Sequence, residues 1–170
     1  MFEIFLPNGI FENIYKITPE YLRSEGISAL ILDIDNTLVT YDDPLPTESV
    51  KSWLDAMHAA GISTAFVSNN HAERVAHFCE GMDCYYHADA GKPSTKYLRS
   101  AMSHMKCDAA NTAAIGDQLF TDVWAAKRAG IRAFLVPPIK DKKTLFFRAK
   151  RLLEKPFLRI YYKKKEGTSS

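Results

Sequence analysis

The sequence predicts an α/β domain: a Rossmann-like, mostly parallel five-stranded sheet with helices on both faces. Three observations carry this reading. Short apolar runs alternate along the chain with longer segments of helical periodicity. The runs are near-continuously apolar rather than alternating, as expected of strands covered on both faces. The spacers between them are short and punctuated by capping residues and glycines.

Residues 1–27 form a lead-in. Within it "TPEYLRSEG" (18–26) has a cap, a proline at the first helical position and a closing glycine, which predicts a short helix. "SALILD" (28–33) reads as the first strand. "PTESVKSWLDAMHAAG" (46–61) reads as a helix capped by Thr47, with Val50, Leu54 and Met57 on one face and Gly61 as the stop. "ISTAFVS" (62–68) is the second strand, "HAERVAHFCEG" (71–81) a second helix and "DCYYHA" (83–88) a short third strand. "STKYLRSAMSHM" (94–105) is a helix capped by Ser94, "TAAIGD" (112–117) the fourth strand, "LFTDVWAAKRAG" (119–130) a helix stopped by Gly130, and "RAFLVPP" (132–138) the fifth strand. In "KDKKTLFFRAKRLLEKP" (140–156), Leu145, Phe146, Ala149, Leu152 and Leu153 share one helical stripe. Lys143, Arg148, Lys150, Arg151 and Lys155 fill the remainder, and Pro156 is expected to end the helix. The domain is thus expected to run over 28–155, with a basic tail over 156–170.

At 170 residues and 46% hydrophobic, the chain suffices for one domain with a sizeable core. No apolar run approaches the ~20 residues of a membrane span. "MFEIFLPNGIF" lacks the basic and long apolar regions of a secretory leader, so a cytoplasmic protein is expected. Cys79, Cys84 and Cys107 are odd in number and form no CxxC pair. Cys79, Cys84 and His87 match no standard zinc spacing, and the reading favours ordinary thiols. The net charge of +2 conceals an asymmetry: residues 1–139 carry 11 Lys/Arg and 17 Asp/Glu, whereas residues 140–170 carry 11 and 3.

In parallel sheets ligands bind beyond the carboxyl ends of the strands, and this rule sorts the polar residues. Asp33 and Asp35 follow the first strand, Ser68 and Asn69 the second, and Asp117 the fourth, while Lys92 lies in the loop after the third. All are expected on one rim. Carboxylates so crowded need a cation, and hard oxygen donors without His or Cys select Mg²⁺. Lys92 would share the neutralisation, and Ser68 would donate to a phosphoryl oxygen. Asp33 is placed to attack phosphorus, and Asp35 to protonate a leaving alcohol and then activate water.

"DIDNT" resembles the first motif of the haloacid dehalogenase (HAD) phosphatases, DxDx[TV]; "VSNN" resembles the second, "GKP" supplies the third-motif lysine, and "GDQLFTD" is similar to the fourth. Four motifs in order, each at a strand end, cover residues 30–122. The resemblance implies Asp33 as nucleophile, Asp35 as acid/base and metal ligand through its carbonyl, and Asp117 as a direct Mg²⁺ ligand. It further implies that Asp122 holds the metal's waters or Lys92, and that Thr37 braces the loop. Asn36 replaces a common glycine and tolerates a left-handed backbone better than most residues. Asn70 and His71 stand beside the rim, His71 equally well as a helix-start residue. A receiver domain shares the acceptor Asp, hydroxyl and Lys, but its acceptor lies on the third strand and no acid stands where Asp35 does.

Neither gap between motifs has room for a separate cap domain, so the site is expected to be open, suiting a large or surface-held substrate. The tail interleaves aromatics with bases, which suits an anionic membrane contacted through residues 140–165, or equally RNA phosphates. Taken whole, the chain resembles the YqeG-type members of HAD subclass IIIA, including the "LP…I…I.PE.L...GI" lead-in. Relatives in fungal mitochondria and plants remove the terminal phosphate of phosphatidylglycerophosphate, so the resemblance implies a phospholipid phosphomonoester as substrate. A phosphatase of soluble sugar or nucleotide phosphates, and an RNA- or ribosome-binding module retaining the fold, are the alternatives.

Overall fold

The computed structural model describes residues 2–140 and 144–168. Among the described residues six strands form one sheet: β1 (Gly9–Ile10), β2 (Ala29–Leu32), β3 (Ser63–Val67), β4 (Tyr85–His87), β5 (Thr112–Gly116) and β6 (Arg132–Leu135). Their spatial order is β1-β6-β5-β2-β3-β4, and every pair is parallel. The expected count of five strands is thereby corrected to six. The additional strand comes from the lead-in, where Gly9 and Ile10 pair with Phe134 and Leu135. It has no apolar run of its own; it forms because β6 offers an unpaired edge, to which Asn8 also binds through its backbone N–H and its side-chain oxygen.

Successive strand residues face opposite layers. Leu30, Leu32, Phe66, Ile115 and Phe134 pack under α1 (Pro19–Ser24), α2 (Glu48–Ala59) and α3 (Ala72–Phe78). Ile31, Val67, Ala114 and Leu135 pack under α4 (Lys96–Met105) and α5 (Trp124–Ala129). Helix starts follow the sequence signals: Thr18 and Thr47 accept from the N–H groups of Tyr21 and Val50, and His71 caps α3 by accepting from Arg74 N–H. At α4 the side chain of Ser94 reaches only Lys96 N–H, and Thr95 holds the N-cap position without a side-chain capping bond. The helix expected over 119–130 opens with a π-helical turn, Leu119–Val123, before α5, and Gly130 ends it at φ 77°.

The last helix departs most from expectation. Helix α6 (Leu145–Thr168) runs straight through Pro156. A proline interrupts a helix by removing one N–H and crowding the preceding turn, but here the flanking residues are anchored. Phe157 packs against Phe2, Phe5 and Phe120 at 5.8, 5.2 and 5.6 Å. The residues of α6 shielded from solvent are Phe147, Lys150, Arg151, Glu154, Phe157, Leu158, Ile160 and Tyr161. The apolar stripe does not pack on the sheet. Leu145, Phe146, Leu152 and Leu153 are 83%, 72%, 63% and 63% exposed, and Ala149 is exposed with them. Lys143 lies outside the described residues.

Candidate active site

The strand ends deliver the acids to one rim. Asp33 follows β2, and Asp117 and Asp122 follow β5; one carboxylate oxygen of each lies within 4.8 Å of the others. Gly116 permits this, since a Cβ there would overlap the Asp122 carboxyl. Lys92 answers the crowding. Its ammonium donates to Asp33 Oδ1 (2.8 Å), Asp122 Oδ1 (2.6 Å) and the carbonyl of Val67 (2.8 Å). All three ammonium donors are therefore engaged. Burial opposes the charge on Lys92, but Asp122 and Asp33 outweigh it and raise the pKa.

The remaining predicted residues support this centre. Thr37 donates to Asp33 Oδ2 (3.1 Å), and Asn36 takes the left-handed backbone at φ 66°. Asn69 binds the main chain of Lys92 at both N–H (2.7 Å) and carbonyl (3.2 Å), so it positions the lysine loop. Ser68 is largely buried yet lines the cleft, its hydroxyl accepting from Asn70 N–H. Asp35 stands apart from the acid triad. Arg74 grips its Oδ1 through Nε (3.2 Å) and Nη2 (3.0 Å), and Asn70 donates to Oδ2 (2.8 Å).

Several contributors have no clear local signature. Arg74 lies in the first turn of α3, where a cation opposes the helix dipole; only its distant partner explains it. Helix α6 supplies the rest. Arg151 donates to the carbonyl of Asp117 (2.6 Å), to its Oδ2 and to Glu154 Oε2 (2.9 Å). Glu154 in turn accepts from Leu119 N–H (2.9 Å). Lys150 donates to the side-chain oxygen of Gln118. A cleft of about 290 Å³ results, with Asp33, Asp122 and Lys92 at its floor and Tyr41, Phe147 and Lys150 among its other walls.

The acids fit a divalent cation. Burial pushes the Asp33 carboxyl up to about 6, with Lys92 pulling the other way, and burial with Asp122 and Asp33 pushes Asp117 up to about 8. Among the described residues, Asp117 Oδ1 is buried with no hydrogen-bond partner. An orphaned carboxylate oxygen amid all-oxygen donors is a site for a hard cation.

A family model of haloacid dehalogenase-like hydrolases matches residues 10–130. The chain is 35% identical over 156 residues to the "Probable phosphatase YqeG" of Bacillus subtilis (strain 168), covering 92% of this chain and 91% of that protein. Among solved structures, the cobalt-bound deoxy-D-mannose-octulosonate 8-phosphate phosphatase of Haemophilus influenzae superposes with a TM-score of 0.54 at 15% identity, covering 74% of this chain and 75% of that one. An uncharacterized protein from Listeria monocytogenes serotype 4b gives 0.54 at 18% identity, over 69% and 85%. At these identities the two structures establish likeness of fold.

Proposed function

The chain belongs to the haloacid dehalogenase-like hydrolases and is a phosphatase; from that premise we propose that it removes the terminal phosphate of phosphatidylglycerophosphate, with Mg²⁺, at a membrane surface. The observation that carries the lipid reading is the exposed apolar stripe of α6, on the helix that also walls the cleft. Leu145, Phe146, Leu152 and Leu153 face outward, accompanied by exposed Arg148, Lys155 and Arg159. Apolar side chains flanked by bases suit an anionic lipid surface. No described helix is long and apolar enough to cross a membrane, so the contact is peripheral. A cleft over which the described residues insert no separate domain admits a head group presented from a bilayer.

Asp33 is the nucleophile. It is partly open to the cleft, and Thr37 and Lys92 fix one oxygen each. Its carboxylate oxygen bonds to phosphorus as the bond to the leaving oxygen breaks, and Asp35 delivers the proton that oxygen needs. Asp35 then takes a proton from water, whose oxygen attacks the aspartyl-phosphate and releases inorganic phosphate. Arg74 and Asn70 aim Asp35 for both steps. Lys92, with its donors committed, contributes charge rather than a direct grip on phosphate. Mg²⁺ held by Asp33 and Asp117, with the Asp35 carbonyl, would supply the positive charge that lets a phosphoryl group approach these acids.

The test is phosphate release from phosphatidylglycerophosphate in mixed micelles with Mg²⁺, beside a panel of soluble phosphomonoesters. Asp33→Asn is the blank, expected to lose activity by at least about 10³-fold. Turnover confined to a soluble ester would discard the lipid, and an inert wild-type protein would favour a binding role instead.

A further inference from the structure

The cleft is lined by two cations in unlike circumstances. Lys92 is buried and neutralised by Asp33 and Asp122, with every donor used. Lys150 stands at the wall, half-buried, and its described partner is the neutral amide oxygen of Gln118. Among the described residues it makes no ion pair. An ammonium has three donors, so two remain for something else.

Lys150 is not placed as a loose surface lysine. The next residue, Arg151, is fastened to Asp117, and Glu154 one turn on is fastened to Leu119 N–H. These contacts fix the rotation of α6 and hold position 150 toward the cleft. Beside it, Phe147 meets the Tyr41 ring at 6.4 Å, giving that wall an apolar surface on which an ion pair is less screened than in water. The phosphoryl group under attack belongs at the floor with Asp33. A cation on the wall, facing the leaving group, has no use for an uncharged alcohol.

We infer that Lys150, held by Gln118, forms a second anion subsite that selects phosphomonoesters whose leaving alcohol carries another phosphate. The inference rests on the phosphatase reading above and deepens it. The phosphodiester of a phospholipid head group and the second phosphate of a soluble bisphosphate are both of this chemistry.

The full chain is assayed with two soluble substrates, glycerol 3-phosphate and glycerophosphoryl-glycerophosphate, the deacylated head group. Wild type should prefer the head group. Lys150→Gln should lower kcat/KM for the head group roughly 10- to 100-fold more than for glycerol 3-phosphate, chiefly through KM, as loss of a hydrogen bond to a charged group predicts. Lys150→Arg should restore most of the preference, and thermal melts report whether each variant is folded. Equal losses on both substrates, or no head-group preference in wild type, would overturn the subsite and leave Lys150 as a balance for the acids. A sugar bisphosphate and its monophosphate form the third arm. A Lys150-dependent preference there, with no turnover of phosphatidylglycerophosphate vesicles, would support the subsite while discarding the lipid.

Discussion

Replacing both Leu152 and Leu153 by Gln should detach the protein from anionic vesicles without unfolding it. Full burial of a leucine side chain stabilises by about 1.5–3 kcal/mol. Each of these leaves 63% of its surface open to solvent, so its transfer to the acyl boundary stabilises by about 1–2 kcal/mol. The pair then accounts for about 2–4 kcal/mol, or a fall of roughly 30- to 700-fold in partition coefficient. Glutamine is nearly as good a helix former as leucine, and neither side chain is part of either core. The melting temperature should therefore stay within the range of an ordinary surface substitution. Flotation with vesicles of graded anionic lipid content, at two salt concentrations, gives the partition. A double variant that is folded and still partitions within twofold of wild type would show that the stripe does not meet lipid, and the reasoning from exposure would fail.

Two further outcomes follow from the acid cluster. Asp117 and Asp33, pushed up to about 8 and about 6 against an ordinary value of 3.8, retain protons in the folded state that the unfolded chain has released. Without a cation, stability should fall as pH rises from about 4 to about 8. A divalent cation bound at these acids would have to expel those protons, so the shift in melting temperature on adding Mg²⁺ should grow over the same window; an equal shift at pH 5.5 and 8.5 would contradict this. Gly116→Ala places a Cβ against the Asp122 carboxyl. It should destabilise by about 1–3 kcal/mol in urea titration and slow phosphate release by moving Asp122 from Lys92.

The strand-end acids were legible because an apolar run that stops on a carboxylate states both where a strand ends and which rim it reaches. Asp33 and Asp117 are such cases, and the caps at Thr18 and Thr47 are equally local. What could not be read depends on distant partners. Gly9 and Ile10 become a strand through β6 alone. The pattern of α6 revealed two faces but not which one packs. Arg151 and Glu154 decide it: they find Asp117 and Leu119 N–H, and the apolar stripe is left facing outward. Pro156 likewise lost its stopping power to aromatic contacts with Phe2 and Phe5, some 150 residues earlier in the chain.

The pairing of β1 with β6 also sets an order of assembly during synthesis. Gly9 meets Phe134, and at ~5–20 residues per second the ribosome needs about 6–25 s to make the 124 residues between them. Over that interval the segment that holds Phe2 and Phe5 has no strand to join. Asp33, Asp35, Lys92, Asp117 and Asp122 have all emerged before β6 is complete, while Lys150 and Arg151 have not. The nascent chain thus carries its acid cluster before the helix that counters Asp117, and the mouth of the site is the last of its parts to be made.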